Sequence, residues 1–336
     1  MSPRPTLRDV ATHAGVSLGT ASKALNKSGT LRSETRNKVL ASARALGFRP
    51  NDLAQALHRG QSYTVGLISN DSFGRFTMPI MEGLEDVLHE AGIALFMCNA
   101  TDDPEREKRH IDQLLGKRVD GLVFTGRRAD RRPAPGLNLG GLPTIYVFSQ
   151  SDEPGSVCLL PDDAGGARLA TEHLLALGRG RIAHVTGPQD FEAVRLRHEG
   201  YRQALTGADR AVDPDLVLYG DWSEHWGREA LHRLCALAQP PDAIVAGNDQ
   251  IGRGLLEAMR ERGLVAPDDI AVIGFDNWSV MAEAARPPLS SIDMNLRALG
   301  EEAGRRLRRM MAGEEIASTA RLPCSLVVRA STDPTA

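Results

Sequence analysis

The chain has 336 residues, 42% of them apolar and 25% charged, which is material for more than one buried core and excludes a chain disordered throughout. Its 40 basic and 43 acidic residues give a formal net charge of −3, but residues 1–60 hold ten Lys/Arg against three Asp/Glu, leaving a net of +7 there and −10 on the remaining 276. No run of about 18 apolar residues exists, so a membrane-spanning helix is excluded.

The opening MSPRPTLRDV has no apolar h-region, so no secretory signal is expected and the cytoplasm is the expected compartment. Cys98, Cys158, Cys235 and Cys324 lie far apart, with no CxxC pair or Cys/His cluster. That spacing fits a reduced compartment and predicts no disulfide framework, metal ligand set or cofactor. A basic head on an acidic body either meets a polyanion or docks on the body itself.

Thr6-Leu7-Arg8-Asp9 reads as a helix start with a capping box. Leu7, Val10, Ala11 and Ala14 follow at helical spacing, and Gly15 stops the helix. Ser17 is a fresh N-cap for a second short helix to about Leu25, with Ala21, Ala24 and Leu25 facing inward. A third runs from Ser33 through Val39, Leu40, Ala43 and Leu46 to Gly47. Two short helices about a glycine turn form a helix-turn-helix. Leu18, Gly19, Thr20, Ser22, Lys23 and Asn26 lie on or near the outward side of the second helix, short groups plus one cation suited to a ~12 Å wide major groove. Ser33, Thr35 and Arg36 open the third helix, where free N–H groups, hydroxyls and a guanidinium suit a phosphate.

TLRDVATHAGVSLGTASKALN and LRSETRNKVLASARALGFRPN resemble the lactose-repressor (LacI) family of bacterial transcription regulators. The resemblance places Leu18, Gly19 and Lys23 where the family reads bases. It places Thr6, Ser17, Thr20, Ser22 and Asn26 with Ser33, Thr35 and Arg36 among the DNA contacts that mostly position the backbone. Ala21 and Lys23 replace the family's usual Val and Arg. Lysine is a point charge without arginine's fork, and Gly19 leaves one reading position silent. After Pro50, NDLAQALHRG makes about two turns at most, too short for a stable helix alone in water, and reads by itself as a plain linker. In the resembling family it is a hinge helix formed on operator DNA. Asn51 then caps it, Leu57 matches a leucine wedged into the minor groove, and His58 follows.

From Tyr63, strands and amphipathic helices alternate. YTVGLIS, IALFMCNA, VDGLVFTG and TIYVFS read as strands with helices near 78–91 and 104–116. RIAHVTG, LVLYGDW, DAIVAGN and IAVIGFDN form a second series with helices near 163–177, 194–206, 224–238 and 249–262. A helix near 295–312 and the strand CSLVVRAS follow. Alternation of this kind argues doubly wound parallel sheets, and two series imply two lobes with a ligand cleft at the carboxyl ends of their strands. KRVDG, ATEHLLALGRGRIAHVTGP, RLRHEGYRQAL, PDDIAVIGFDN and PPLSSI carry the family resemblance through the body. The expected fold is therefore α/β: an N-terminal three-helix helix-turn-helix domain (1–50), a hinge (51–62), and a two-lobed core resembling periplasmic binding proteins. Its first lobe is expected at 63–160 with 292–320, its second at 161–291 with 321–331.

Effector contacts follow from the resemblance and from placement after strands: Phe73, Arg75 and Phe76 in the first loop, then Arg197, Trp222, Asn248 and Asp276. A carboxylate at a strand end accepts hydroxyls, an indole stacks on a sugar face, and an amide both donates and accepts. Each has a structural alternative, Trp222 as core, Asp276 as a cap and Arg197 as a solvated helix charge. The fourth strand ends Val147-Phe148-Ser149, where many sugar-responsive members carry a carboxylate. Arg75, Arg127 and Arg128 suit a sugar phosphate or are solvated surface. Gly252-Arg-Gly254 lacks a third glycine and falls inside a helix, and no GxxxxGK[ST], GxSxG or HExxH is present. The sequence thus predicts no enzyme but a homodimeric DNA-binding regulator, most simply a repressor, of a pseudo-palindromic operator, answering to a sugar or sugar derivative. A cytosolic sugar-binding protein or a sugar-processing enzyme is the alternative.

Overall fold

The computed structural model describes residues 5–26, 29–48, 61–72, 74–133 and 139–335. The chain divides into two compact units, Met1–Tyr63 and Thr64–Ala336.

In the first unit, α1 (Leu7–Ala14), α2 (Leu18–Leu25) and α3 (Ser33–Ala45) enclose a core of Val10, Ala11, Ala14, Ala21, Ala24, Val39 and Ala43. Five of these seven are alanines, so the helices approach closely. The capping box at Thr6 is formed in both directions: Asp9 Oδ2 accepts from Thr6 N at 2.7 Å and Thr6 Oγ1 accepts from Asp9 N at 3.4 Å. Gly15 ends α1 at φ 62°, left-handed backbone where glycine carries no Cβ penalty.

The second unit holds two six-stranded sheets. The first runs β13-β7-β5-β3-β1-β2, from β1 (Thr64–Ser69), β2 (Ala94–Asn99), β3 (Gly121–Thr125), β5 (Thr144–Val147), β7 (Val157–Pro161) and β13 (Thr319–Leu322), all parallel. The second runs β14-β12-β11-β10-β8-β9, from β8 (Ile182–Thr186), β9 (Val217–Tyr219), β10 (Ala243–Ala246), β11 (Ala271–Phe275), β12 (Ser290–Asp293) and β14 (Ser325–Val327), with β14 antiparallel to β12. A two-stranded pair joins β4 (Arg131–Arg132) to β6 (Gln150–Ser151). Interior strands are buried along their length because helices cover both faces. The edge strand β2 is not: Phe96 is 49% exposed and Met97 41%.

Helices α4 (Thr77–Glu90), α5 (Pro104–Gly116) and α11 (Leu296–Met311) belong to the first lobe. Helices α6 (Asp163–Ala176), α7 (Glu192–Gly207), α8 (Glu224–Cys235), α9 (Asp249–Glu261) and the single turn α10 (Ser279–Ala282) belong to the second. Where α4 crosses α11, a Cβ on Gly83 would sit 2.0 Å from Arg297 O, and one on Gly300 would sit 2.0 Å from Ile80 O. Only glycine permits that backbone approach, which fixes α11, from the far end of the chain, onto the first lobe. The chain passes between sheets after β7, after β12 and between β13 and β14.

The alternating pattern located these elements to within a few residues. It missed β7, β12, β13 and the short pair β4 and β6, and it ran the fourth strand past Val147, where Phe148 turns to φ 51°.

Candidate functional site: a DNA-reading helix and an interlobe cleft

On the head, the polar groups of α2 divide into two sets. Ser17 Oγ accepts from Thr20 N at 3.1 Å and lies 2.9 Å from Thr20 Oγ1, while Asn26 Nδ2 donates to Ser22 Oγ at 3.3 Å. These four side chains close the two ends of the helix on themselves. Leu18, Gly19 and Lys23 remain exposed, with Leu18 47% accessible although it is apolar. Arg36 on α3 donates to Gly29 O at 3.5 Å, beside the exposed Ser33 and half-buried Thr35. Asn51, Leu57 and His58 lie outside the described residues, as does Phe73.

In the core, a cleft of about 980 Å³ opens between the lobes. Among the residues expected there, Arg75, Phe76, Arg197, Trp222, Asn248 and Asp276 all line it. Its walls are strongly aromatic: Phe76 stacks on Phe148 at 4.7 Å, and Phe191 meets Trp222 at 6.1 Å. Trp222 is thus half-buried, one side lining the cleft and the other packed against the core of the second lobe.

The floor is an ionic cluster. Arg197, at the base of α7, donates through Nε to Asp163 Oδ1 at 2.8 Å, brings Nη2 to the same oxygen at 2.8 Å, and donates through Nη1 to Gly247 O at 2.5 Å. Its guanidinium lies 3.6 Å from the centre of the Phe275 ring. Asp276 follows β11 at φ 105° and Asn277 at φ 49°, strained positions pinned by Asp276 N to Ile292 O (2.8 Å) and Asn277 N to Ser291 Oγ (3.0 Å). The Asp276 carboxylate receives Arg75 from the opposite lobe on Oδ2 and has Arg197 Nη1 3.8 Å from Oδ1. Burial raises the pKa of Asp276, and the two arginines oppose the rise. Asp163 behaves alike, raised by burial and opposed by Arg197. Asp249 has no cation in contact. Its oxygens meet Ser291 Oγ at 2.6 Å and Trp278 N at 2.6 Å, and burial followed by the Asp276 charge pushes it up to about 8. Around neutral pH Asp249 is thus expected to hold its proton, while the two guanidinium groups favour the ionised forms of Asp276 and Asp163 against the burial that opposes them.

Asn248 is less available than its residue type promised. Its Oδ1 accepts from Ile251 N at 2.8 Å as the N-cap of α9, which commits one of that oxygen's two lone pairs. Sequence reasoning passed over Asp71, whose Oδ2 accepts from Phe76 N and Thr77 N at 2.8 and 3.0 Å and so fixes the start of α4. It also passed over Gln250 and Trp278, each within two residues of a strand-end residue that was singled out. Asp130 and Phe191 went unnoticed as well: Asp130 Oδ1 accepts from Glu192 N at 2.8 Å across the lobes, and Arg128 lies 4.9 Å from the Phe191 ring centre.

Residues 6–51 match the sequence profile described as bacterial regulatory proteins of the lacI family, and residues 171–332 match a periplasmic binding protein-like domain. The HTH-type transcriptional regulator DegA of Bacillus subtilis is 32% identical over 98% of this chain and 99% of its own. The chain belongs to the LacI family. As such it is a DNA-binding transcription regulator and not an enzyme. The ribose operon repressor of Escherichia coli is 34% identical over 89% of this chain and 90% of its own. A lac repressor dimer bound to operator and the anti-inducer ONPF superposes with a TM-score of 0.81 at 29% identity, covering 98% of this chain and 99% of that one. A complex of the regulator CelR with cellobiose gives a TM-score of 0.68 at 32% identity, covering 98% and 100%. This LacI-family chain therefore has the architecture of regulators solved with operator and with sugar, over nearly its full length.

Proposed function

We propose that the chain is a cytoplasmic repressor that binds a pseudo-palindromic operator as a symmetric homodimer and is controlled by a sugar-type molecule in the interlobe cleft. The division of labour is residues 1–50 as reader, 51–62 as hinge, 63–160 with 292–320 as first lobe and 161–291 with 321–331 as second. Leu18, Gly19 and Lys23 face base edges, with Thr6, Ser17, Thr20, Ser22, Asn26, Ser33, Thr35 and Arg36 at the backbone. Asn51 and His58 flank a hinge whose Leu57 acts as the minor-groove wedge. In the cleft, Phe73, Arg75, Phe76, Arg197, Trp222, Asn248 and Asp276 receive the effector.

The observation that carries this reading is the outward face of α2, where an apolar side chain and a lysine are exposed while Ser17, Thr20, Ser22 and Asn26 are tied into the helix ends among the described residues. The dimer is supported by β2, whose exposed Phe96 and Met97 on an unpaired sheet edge are a liability unless a second copy covers them. The sugar reading is supported by aromatic walls around a hydrogen-bonding floor, and by relatives named for ribose and cellobiose.

Selection of full-length protein on a genome-derived duplex pool in dilute buffer is expected to return a two-fold symmetric sequence. Its affinity should fall by ~10³–10⁵ between about 50 and 200 mM salt, as for 6–10 phosphate contacts. Failure to retain any duplex would overturn the proposal.

A further inference from the structure

We propose that the effector is an anionic sugar, carrying a carboxylate or phosphate beside its hydroxyls, and that Arg75 is the residue that selects it; this rests on the effector reading above. Arg75 leaves the loop after β1 and crosses the cleft to the other lobe. There Nη2 bonds Asp276 and Nη1 donates to Gln250 Oε1 at 3.1 Å. Its guanidinium lies between two aromatic faces, 4.4 Å from the Trp278 ring centre and 4.8 Å from that of Phe76. The Nε–H is shut away from solvent and has no partner among the described residues. Arg75 and Asp276 also wall a second cavity of about 480 Å³, bounded by Pro79, Trp278, Asp293 and the first turn of α11. The cation therefore stands where the two spaces meet, and a molecule that reaches the cleft floor must deal with it.

Charge compensation decides which molecule can. A neutral polyol that takes over Asp276 displaces Arg75 and leaves a guanidinium only 13% exposed without a counter-ion, a costly state for a buried cation. A ligand bearing an anion beside its hydroxyls permits an exchange that strands nothing. Its anionic oxygens take the Nη groups of Arg75 that Asp276 gives up, in the planar geometry a guanidinium offers. One of its hydroxyls donates to Asp276, which keeps Arg197 Nη1 3.8 Å away. The mouth carries the same sign. Arg127 and Arg128 are half-exposed, and their pairs with Asp102 and Asp130 lie in solvent, where such pairs are weak and readily exchanged. Asp71, the other carboxylate in that wall, is already spent on two backbone N–H groups.

The test pairs neutral sugars with their anionic counterparts on full-length protein: D-glucose against D-glucuronate and D-gluconate, and D-ribose against its phosphate ester, each at millimolar concentration. Melting point and calorimetric affinity are the readouts. At least one anionic member is expected to raise the melting point where its neutral counterpart does not. Arg75→Gln should weaken that anionic ligand by about 10-fold or more. Arg75→Lys, which keeps the charge and loses the fork, should weaken it less. Ligand-free melting shows whether each variant has folded, and the lysine variant carries the test if the glutamine variant does not. Three results would each overturn the proposal: no anionic member binds, a neutral counterpart binds as tightly, or Arg75→Gln weakens neutral and anionic sugars alike. A neutral sugar that binds and alters operator affinity would sink this inference and leave the effector reading standing. Operator affinity indifferent to every sugar bound would sink the effector reading itself.

Discussion

On α2 of the head, Leu18 and Lys23 stand in water above a core whose largest fully buried side chains are two valines. At the floor of the cleft, Asp276 is 6% exposed and held between arginines from two lobes. The head displays its proposed reading groups on a scaffold that does not depend on them, so contact with a polyanion asks for little dehydration of buried charge. In the cleft the proposed contact groups are the scaffold. Removing one there strands another, and recognition cannot be separated from stability. Both arrangements follow from partner size. A duplex offers an extended, regularly charged surface, whereas a small molecule is held only by surrounding it.

The largest effect that would break this contrast is expected in the head. Val39→Asp puts a carboxylate among five alanines and a valine with no cation among the buried residues. A domain of this size holds on the order of 3–5 kcal/mol, and an unpaired buried carboxylate costs about that much. Operator binding should disappear, with the helical signal of the head lost, while the melting transition of the core stays in place. A core transition that fell with it would show the two units are not energetically separate.

In the cleft the expected outcome is the reverse. Arg197→Met keeps much of the volume against Phe275 but leaves Asp163 without its cation. Breaking such a pair costs ~3–5 kcal/mol, which for a core of this length corresponds to a fall of roughly 5–15 °C in melting point. Calorimetric melting of the full chain reads it directly. A fall of less than about 2 °C, under 1 kcal/mol, would mean that Asp163 takes up a proton at little cost and the pair is not structural.

The same contrast governs what could be read before any coordinates. Thr6, Gly15 and Ser17 act within three residues of themselves, and their caps were legible from spacing alone. The doubly wound core was legible because a parallel strand buried on both faces is a run of apolar residues, as in VGLIS or IAHVT. β13, the sequence TARL, has no such run, and its pairing with β7 spans the length of the lobe. The site was legible as strand ends but not as a circuit. Arg75 and Asp276 are 201 positions apart, and nothing local in SNDSFGRFT states that its arginine lands on the other lobe. Asn248 lines the cleft as expected of its strand end, but its role as cap of α9 was not read from the sequence, because an amide that opens a helix also serves that helix.

The smallest effect is the one that tests the charge count at the floor. Asp249 is expected to hold its proton at neutral pH, since burial and the Asp276 charge push it up to about 8, against about 3.9 in an unfolded chain. A carboxyl with a raised folded-state pKa binds more protons folded than unfolded. Its contribution is complete below about pH 4 and drains away as pH climbs toward 8. Asp249→Asn keeps the shape, can accept from Trp278 N and donate to Ser291 Oγ, and has no proton to lose. Asp276 faces this site and titrates together with Asp249, so the difference between variant and parent reports the pair, with Arg75 common to both proteins. The melting point of the variant minus that of the parent should therefore rise steadily between about pH 5 and pH 8, by an amount on the order of a few kcal/mol in stability. A difference that stayed level across that window would mean Asp249 is ionised throughout. The floor would then carry one more negative charge beside Asp276, opposed to the very ligand Arg75 is proposed to receive.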